Sequence, residues 1–146
     1  MSRTRSLFAV AAILVAALVV HDSPVDAQSD LERRAREIHD RVITLDTHVD
    51  INPANFTASR NYTQDLDTQV NLPKMMKGGL DAAFFIVYVG QGPLTPEGYD
   101  NAYKQAIEKF DAIHRLTKEI APEQIELALT AADVPRIAAK GKKVAL

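Results

Sequence analysis

Val42-Ile43-Thr44-Leu45-Asp46-Thr47-His48-Val49-Asp50-Ile51 alternates apolar and polar side chains along a segment rich in β-branched residues. In a β-strand successive side chains point to opposite faces. That predicts Ile43, Leu45, Val49 and Ile51 on one face and Asp46, His48 and Asp50 on the other. A neutral imidazole and a carboxylate two residues apart can reach one cation together, and this donor combination suits zinc and similar divalent ions. A His-x-Asp pair alone is a weak signal, because it arises often by composition. A half-buried strand with a solvated polar face is the plain alternative.

Upstream of this stretch, Ser29 with Glu32 three residues later has the pattern of a capping box. Leu31, Ala35, Ile38 and Val42 follow at helical spacing, which predicts a helix over 30–40 with Glu32–Arg36 and Glu37–Arg41 pairs on its surface. His39 falls at the end of that helix, where a cation is favourable, so a capping role is expected. Downstream, residues 52–70 are polar and long for a connection in a compact domain. They begin directly at the candidate site and are expected to form part of a pocket wall. Asp65 and Asp67 repeat carboxylates at alternate positions with no histidine near them, and are read as loop residues.

Asn71-Leu72-Pro73 opens a short helix that Gly78-Gly79 ends. The continuous apolar run Ala82 to Val89 predicts a central strand of a parallel sheet, buried on both faces. A helix is expected from Tyr99 to Ile120 with Tyr103, Ile107, Phe110, Ile113 and Ile120 as its apolar stripe. His114 lies beside that stripe and is read as a satisfied core residue rather than a ligand. Ile125 to Leu129 reads as a short strand, Thr130 or Asp133 to Ala139 as a helix, and Lys142 to Leu146 as the opening of another buried strand. This alternation is that of successive βα units in an α/β fold.

The composition sets outer bounds. The chain has 146 residues, 47% hydrophobic and 25% charged, with no cysteine and a formal net charge of −2. These values fit one globular unit and exclude collagen-like, disulfide-stapled and low-complexity classes. No Arg/Lys-rich stripe is interleaved with aromatics, so no nucleic-acid partner is expected. Arg3 and Arg5, the apolar run Leu7 to Val20 and the small-residue end Val25-Asp26-Ala27 predict a secretory signal peptide over 1–27. The run is short beside the roughly 20 residues of a membrane span, so no stable span is expected after cleavage. The mature chain, 28–146, is therefore expected to be exported to a periplasmic or extracellular location. Asn55 and Asn61 head glycosylation tripeptides of the kind that are common by chance.

With these pieces in order, the chain resembles the membrane dipeptidase (renal dipeptidase) family of zinc-dependent peptidases. Asp46-Thr47-His48-Val49-Asp50 looks like the family's first-strand Asp-x-His-x-Asp. Asn71-Leu72-Pro73-Lys74, Gly78-Gly79 and Phe84-Phe85-Ile86-Val87-Tyr88 look like its second βα unit, and Phe110-Asp111-Ala112-Ile113-His114-Arg115 like its next helix. The resemblance implies a (β/α)8 TIM-type barrel of the metal-dependent hydrolase kind, with 28–146 as its N-terminal part, the first two to three βα units. It implies hydrolysis of dipeptides at a two-zinc centre, with His48 and Asp50 as ligands of one zinc and Asp46 orienting His48 from behind. The family's bridging carboxylate, further histidines and proton-transferring acid come later in its sequence than the counterpart of Leu146. No catalytic residue beyond the metal ligands is expected within this chain, and the isolated piece is expected to be inactive. A homo-oligomer is compatible with this reading. Two other readings stand beside it: a truncated, non-catalytic fragment or binding module, and another metal-dependent amidohydrolase acting on a non-peptide amide or ester.

Overall fold

The computed structural model describes residues 24–146, with side chains from Gln28 onward. Most of the expected leader, and the run that identifies it, lies outside the described residues. Among the described residues no helix is long and apolar enough to cross a membrane.

The chain divides into two units, Met1–Glu37 and Ile38–Leu146. Helix α1 spans Pro24–His39, so it starts earlier than the capping box predicts and Ser29 lies inside it. The surface pairs also differ from expectation. Arg33 sits within reach of both Asp30 and Glu37 and takes them both, so Glu37 is bound to Arg33 rather than to Arg41. His39 caps a different helix end from the one expected. Its Nε2 lies 3.3 Å from the carbonyl oxygen of Gly78, at the close of α2 (Leu72–Gly78).

The second unit is built on a four-stranded parallel sheet in the order β1-β2-β4-β3. The strands are β1 Leu45–Asp50, β2 Ala82–Ile86, β3 Ile125–Leu127 and β4 Lys143–Ala145. Helix α2 joins β1 to β2, α3 (Pro96–Arg115) with a π-helical turn (Leu116–Ile120) joins β2 to β3, and α4 (Asp133–Ala138) joins β3 to β4. The α/β class and the central place of β2 agree with expectation; the strand order does not follow the chain. Composition explains the exchange. Val144 and Ala145 are fully buried between two neighbours, whereas Glu126 in β3 needs an edge, where it reaches Arg136 at 2.7 Å and Lys140 at 3.2 Å.

One sheet face carries the main core. Ala83, Phe85 and Ala145 pack there against Leu72 and Met75 of α2 and against Ala112, Ile113 and Leu116 at the end of α3. Each large side chain so buried contributes about 1.5–3 kcal/mol. On the opposite face, Ala82 and Val144 are covered by Ile137 of α4. This short helix reaches no further, so Phe84 remains 40% exposed and β2 is not buried on both faces as its apolar run predicts. Helix α3 has a similar mismatch. Its 20 residues span about 30 Å, nearly twice the length of the five-residue strand β2. Within it only Ala112 and Ile113 are buried, followed by Leu116 and Thr117 in the π-helical turn, while Tyr103, Ile107 and Phe110 of the expected stripe are exposed. His114 packs beside them but is not satisfied: its Nδ1 is buried without a hydrogen-bond partner among the described residues.

The starts of three strands meet at Asp81. Its carboxylate accepts the Thr44 N–H at 3.1 Å and the Lys143 Nζ at 3.1 Å, and its own N–H donates to the Thr44 hydroxyl at 2.8 Å. Burial pushes the carboxyl pKa up, but the Thr44 N–H and the Lys143 ammonium together outweigh it and hold the group below the usual carboxylate range. A carboxylate whose pKa is depressed by folding stabilises the fold above its unfolded value of about 3.9, and that stability is lost as pH falls through the folded value. Asp81→Asn is therefore expected to lower the unfolding temperature by a few degrees at neutral pH, with the gap to wild type closing below about pH 4. A gap that stays constant across a calorimetric pH series would show that the charge is not what matters.

Candidate metal site and its cavity

Strand β1 departs from simple alternation at the point where its chemistry lies. Leu45 and Asp46 stand opposite Ala82 and Ala83, but the register then slips, and Val49 and Asp50 stand opposite Phe85 and Ile86. Asp46 Oδ1 accepts the backbone N–H of His48 at 2.9 Å, which takes that N–H out of the ladder and accounts for the bulge. The slip divides the predicted oily face. Val49 and Ile51 are 5% exposed and lie in the core, while Ile43 and Leu45 are 44% and 49% exposed.

The slip also changes the relation among the three polar residues. Asp46 holds the register of Ala83, on the helix-covered side, and touches His48 through the backbone rather than through the imidazole. His48 and Asp50 face each other directly, Nε2 to Oδ1 at 3.6 Å, with side chains 65% and 70% exposed. Two ligands about 2.0–2.1 Å from a tetrahedral zinc stand about 3.3–3.4 Å apart, so this pair fits one metal ion with little movement. No group of three or more His, Cys, Asp or Glu that could hold a metal occurs among the described residues. The pair offers two donors, one fewer than the three protein ligands a catalytic zinc site normally has.

Asp46, His48 and Asp50 open together onto a cavity of about 370 Å³, whose wall continues through Asn52, Asn55, Tyr62, Thr68, Gln69 and Val70. That is within the range of small-molecule sites, and the 52–70 segment forms the pocket wall that its length predicts. The segment has its own small core. Phe56 and Tyr62, 0% and 2% exposed, stack at a centroid distance of 4.4 Å and both meet Phe85 edge-on. Asn71 is fully buried; it accepts the Lys74 N–H at 3.1 Å and donates to the Leu66 carbonyl at 3.1 Å, joining the loop's end to α2.

Other candidates lie elsewhere. Asp65 and Asp67 are exposed and outside the cavity wall, as loop residues would be; Asp65 faces Lys74 at 3.9 Å. Asn61 is 6% exposed, with its amide donating to the Thr57 carbonyl at 3.0 Å, which leaves no room for a glycan. Tyr62 is the residue that sequence pattern misses. Burial pushes its phenol up to about 12, so the hydroxyl stays protonated throughout the range in which enzymes work. Its only sequence signal is an aromatic residue, together with Phe56, inside an otherwise polar segment.

Residues 32–146 match the family described as Membrane dipeptidase (Peptidase family M19). The chain belongs to the membrane dipeptidase family. Among solved structures it is similar to the probable dipeptidase PvdM from Pseudomonas aeruginosa, with a TM-score of 0.72 and 21% sequence identity. That likeness covers 80% of this chain and 30% of the other, so the chain spans less than a third of its structural neighbour. No curated protein matches the chain. The parallel sheet with its connecting helices is thus part of a TIM-barrel-like membrane dipeptidase fold.

Proposed function

We propose that the protein is an exported, zinc-dependent dipeptidase in which His48 and Asp50 hold one metal ion. The observation that carries this reading is the facing of His48 Nε2 and Asp50 Oδ1 at 3.6 Å, at the mouth of a cavity of small-molecule size. Membership of the membrane dipeptidase family supports a peptide substrate. When bound, a divalent metal supplies an acidified water and a polarised carbonyl.

The chain's own residues have distinct tasks in this scheme. His48, inside the bulge, and Asp50, in register just beyond it, bind from the same strand, and Asp46 fixes the backbone that carries His48. The 52–70 wall limits the space to a short ligand. Among the described residues no lysine or arginine lines the cavity, so an uncharged peptide group is received by neutral donors rather than by a cation.

Metal removal tests the reading. The full-length protein treated with a chelator is expected to lose hydrolysis of alanyl-alanine and to regain it when zinc is restored. Hydrolysis that continues after the metal is removed, or no hydrolysis with zinc present, would sink the proposal.

A further inference from the structure

Tyr62 combines features not otherwise found together in the cavity wall. Its ring is held on two sides by Phe56 and Phe85, and the residue is 2% exposed. Yet it lines the same cavity as His48 and Asp50. Its hydroxyl has no hydrogen-bond partner among the described residues, and it is not among the side-chain atoms shut off from solvent. Buried tyrosine hydroxyls usually find a partner. The donor is therefore available to whatever enters the cavity.

We propose that the Tyr62 hydroxyl donates a hydrogen bond to a carbonyl oxygen of the bound peptide, making Tyr62 a substrate-positioning residue of this site. The inference rests on the dipeptidase reading above. A carbonyl is the acceptor that suits this donor, for three reasons. Beside the metal pair, the nearby ionisable group is Asp46, and among the described residues no lysine or arginine lines the cavity to hold a carboxylate. The phenol stays neutral and protonated because of its burial. The ring's two aromatic neighbours leave it little rotational freedom, so the donor is fixed in place before the ligand arrives.

Tyr62→Phe keeps the ring packing and removes only the hydroxyl. In the zinc-loaded, full-length protein the variant is expected to lose about three- to tenfold in kcat/KM for alanyl-alanine, mainly through KM. Its unfolding temperature and zinc affinity should be those of wild type. In metal-free protein, alanyl-alanine should produce a tyrosine ultraviolet difference spectrum in wild type that Tyr62→Phe lacks. Wild-type kinetics in the variant would overturn the inference while leaving the dipeptidase reading intact. An equal loss accompanied by a lowered unfolding temperature would assign the hydroxyl to folding and overturn it too. A wild-type protein that does not hydrolyse the dipeptide ends both.

Discussion

His48→Ala in the full-length protein is expected to lower zinc-dependent dipeptide hydrolysis by more than about 100-fold, beyond the 10–100-fold typical of losing a group that only orients a ligand. The fold should not notice. The His48 side chain is 65% exposed, and the imidazole's facing partner is Asp50 rather than the core. Exposed substitutions of this kind usually stay within about 0.5 kcal/mol of wild type, so the unfolding temperature of the metal-free variant should match that of the metal-free parent. A calorimetric zinc titration separates this from an indirect effect, since the variant should bind less zinc per chain. Asp50→Asn should behave alike. Asp46→Asn should be milder, because an amide oxygen can still accept the His48 N–H that Asp46 takes at 2.9 Å. Undiminished hydrolysis in His48→Ala would remove the first strand from the metal site altogether.

The sequence pattern of β1 predicts which polar side chains share a side better than it predicts the ladder that carries them. His48 and Asp50 do share a side and face a cavity, as period-two alternation predicts from their spacing. The assignment of Leu45 and Val49 to one face fails because alternation assumes an unbroken ladder, and a side-chain carboxylate at Asp46 takes a backbone N–H from it. Such a contact leaves no periodic trace. Strand order was hidden for a different reason. A short strand's pattern gives its period but not its neighbour, and the decision between β3 and β4 depends on which can be buried on both sides. Glu126 in β3 was a legible clue. Helix ends are legible where turn chemistry governs them, as at Asn71 and at Gly79, whose φ of 68° closes α2. At α1 they are not, because the residues before Ser29 continue the helix and override the capping pattern.

Phe56→Ala is expected to be the most destabilising single change, at about 3–5 kcal/mol, the usual cost of removing a buried aromatic ring. For a unit of this size that corresponds to a fall in unfolding temperature of roughly 15 °C or more. The reason lies in how a long polar loop is held on a sheet. Residues 52–70 contribute no strand to the sheet, and their main apolar anchors are Phe56, Tyr62 and Leu66. Phe56 contacts Tyr62 at 4.4 Å and Phe85 of β2 at 6.4 Å, and its carbonyl accepts Arg115 Nη1 at 2.8 Å from the end of α3. Removing the ring takes a partner from Tyr62 and leaves a void between loop and sheet, so the cavity wall should loosen before the sheet melts. Protease cleavage within 52–70 should then appear in Phe56→Ala at temperatures where the strands are still protected from hydrogen exchange. Phe56→Leu, which fills most of the space, should recover more than half of the lost stability. If Phe56→Ala unfolds within about 1 kcal/mol of wild type with its loop still protected, the wall is held by its polar contacts, through Asn61, Asn71 and Arg115, and the aromatic pair is incidental to the site.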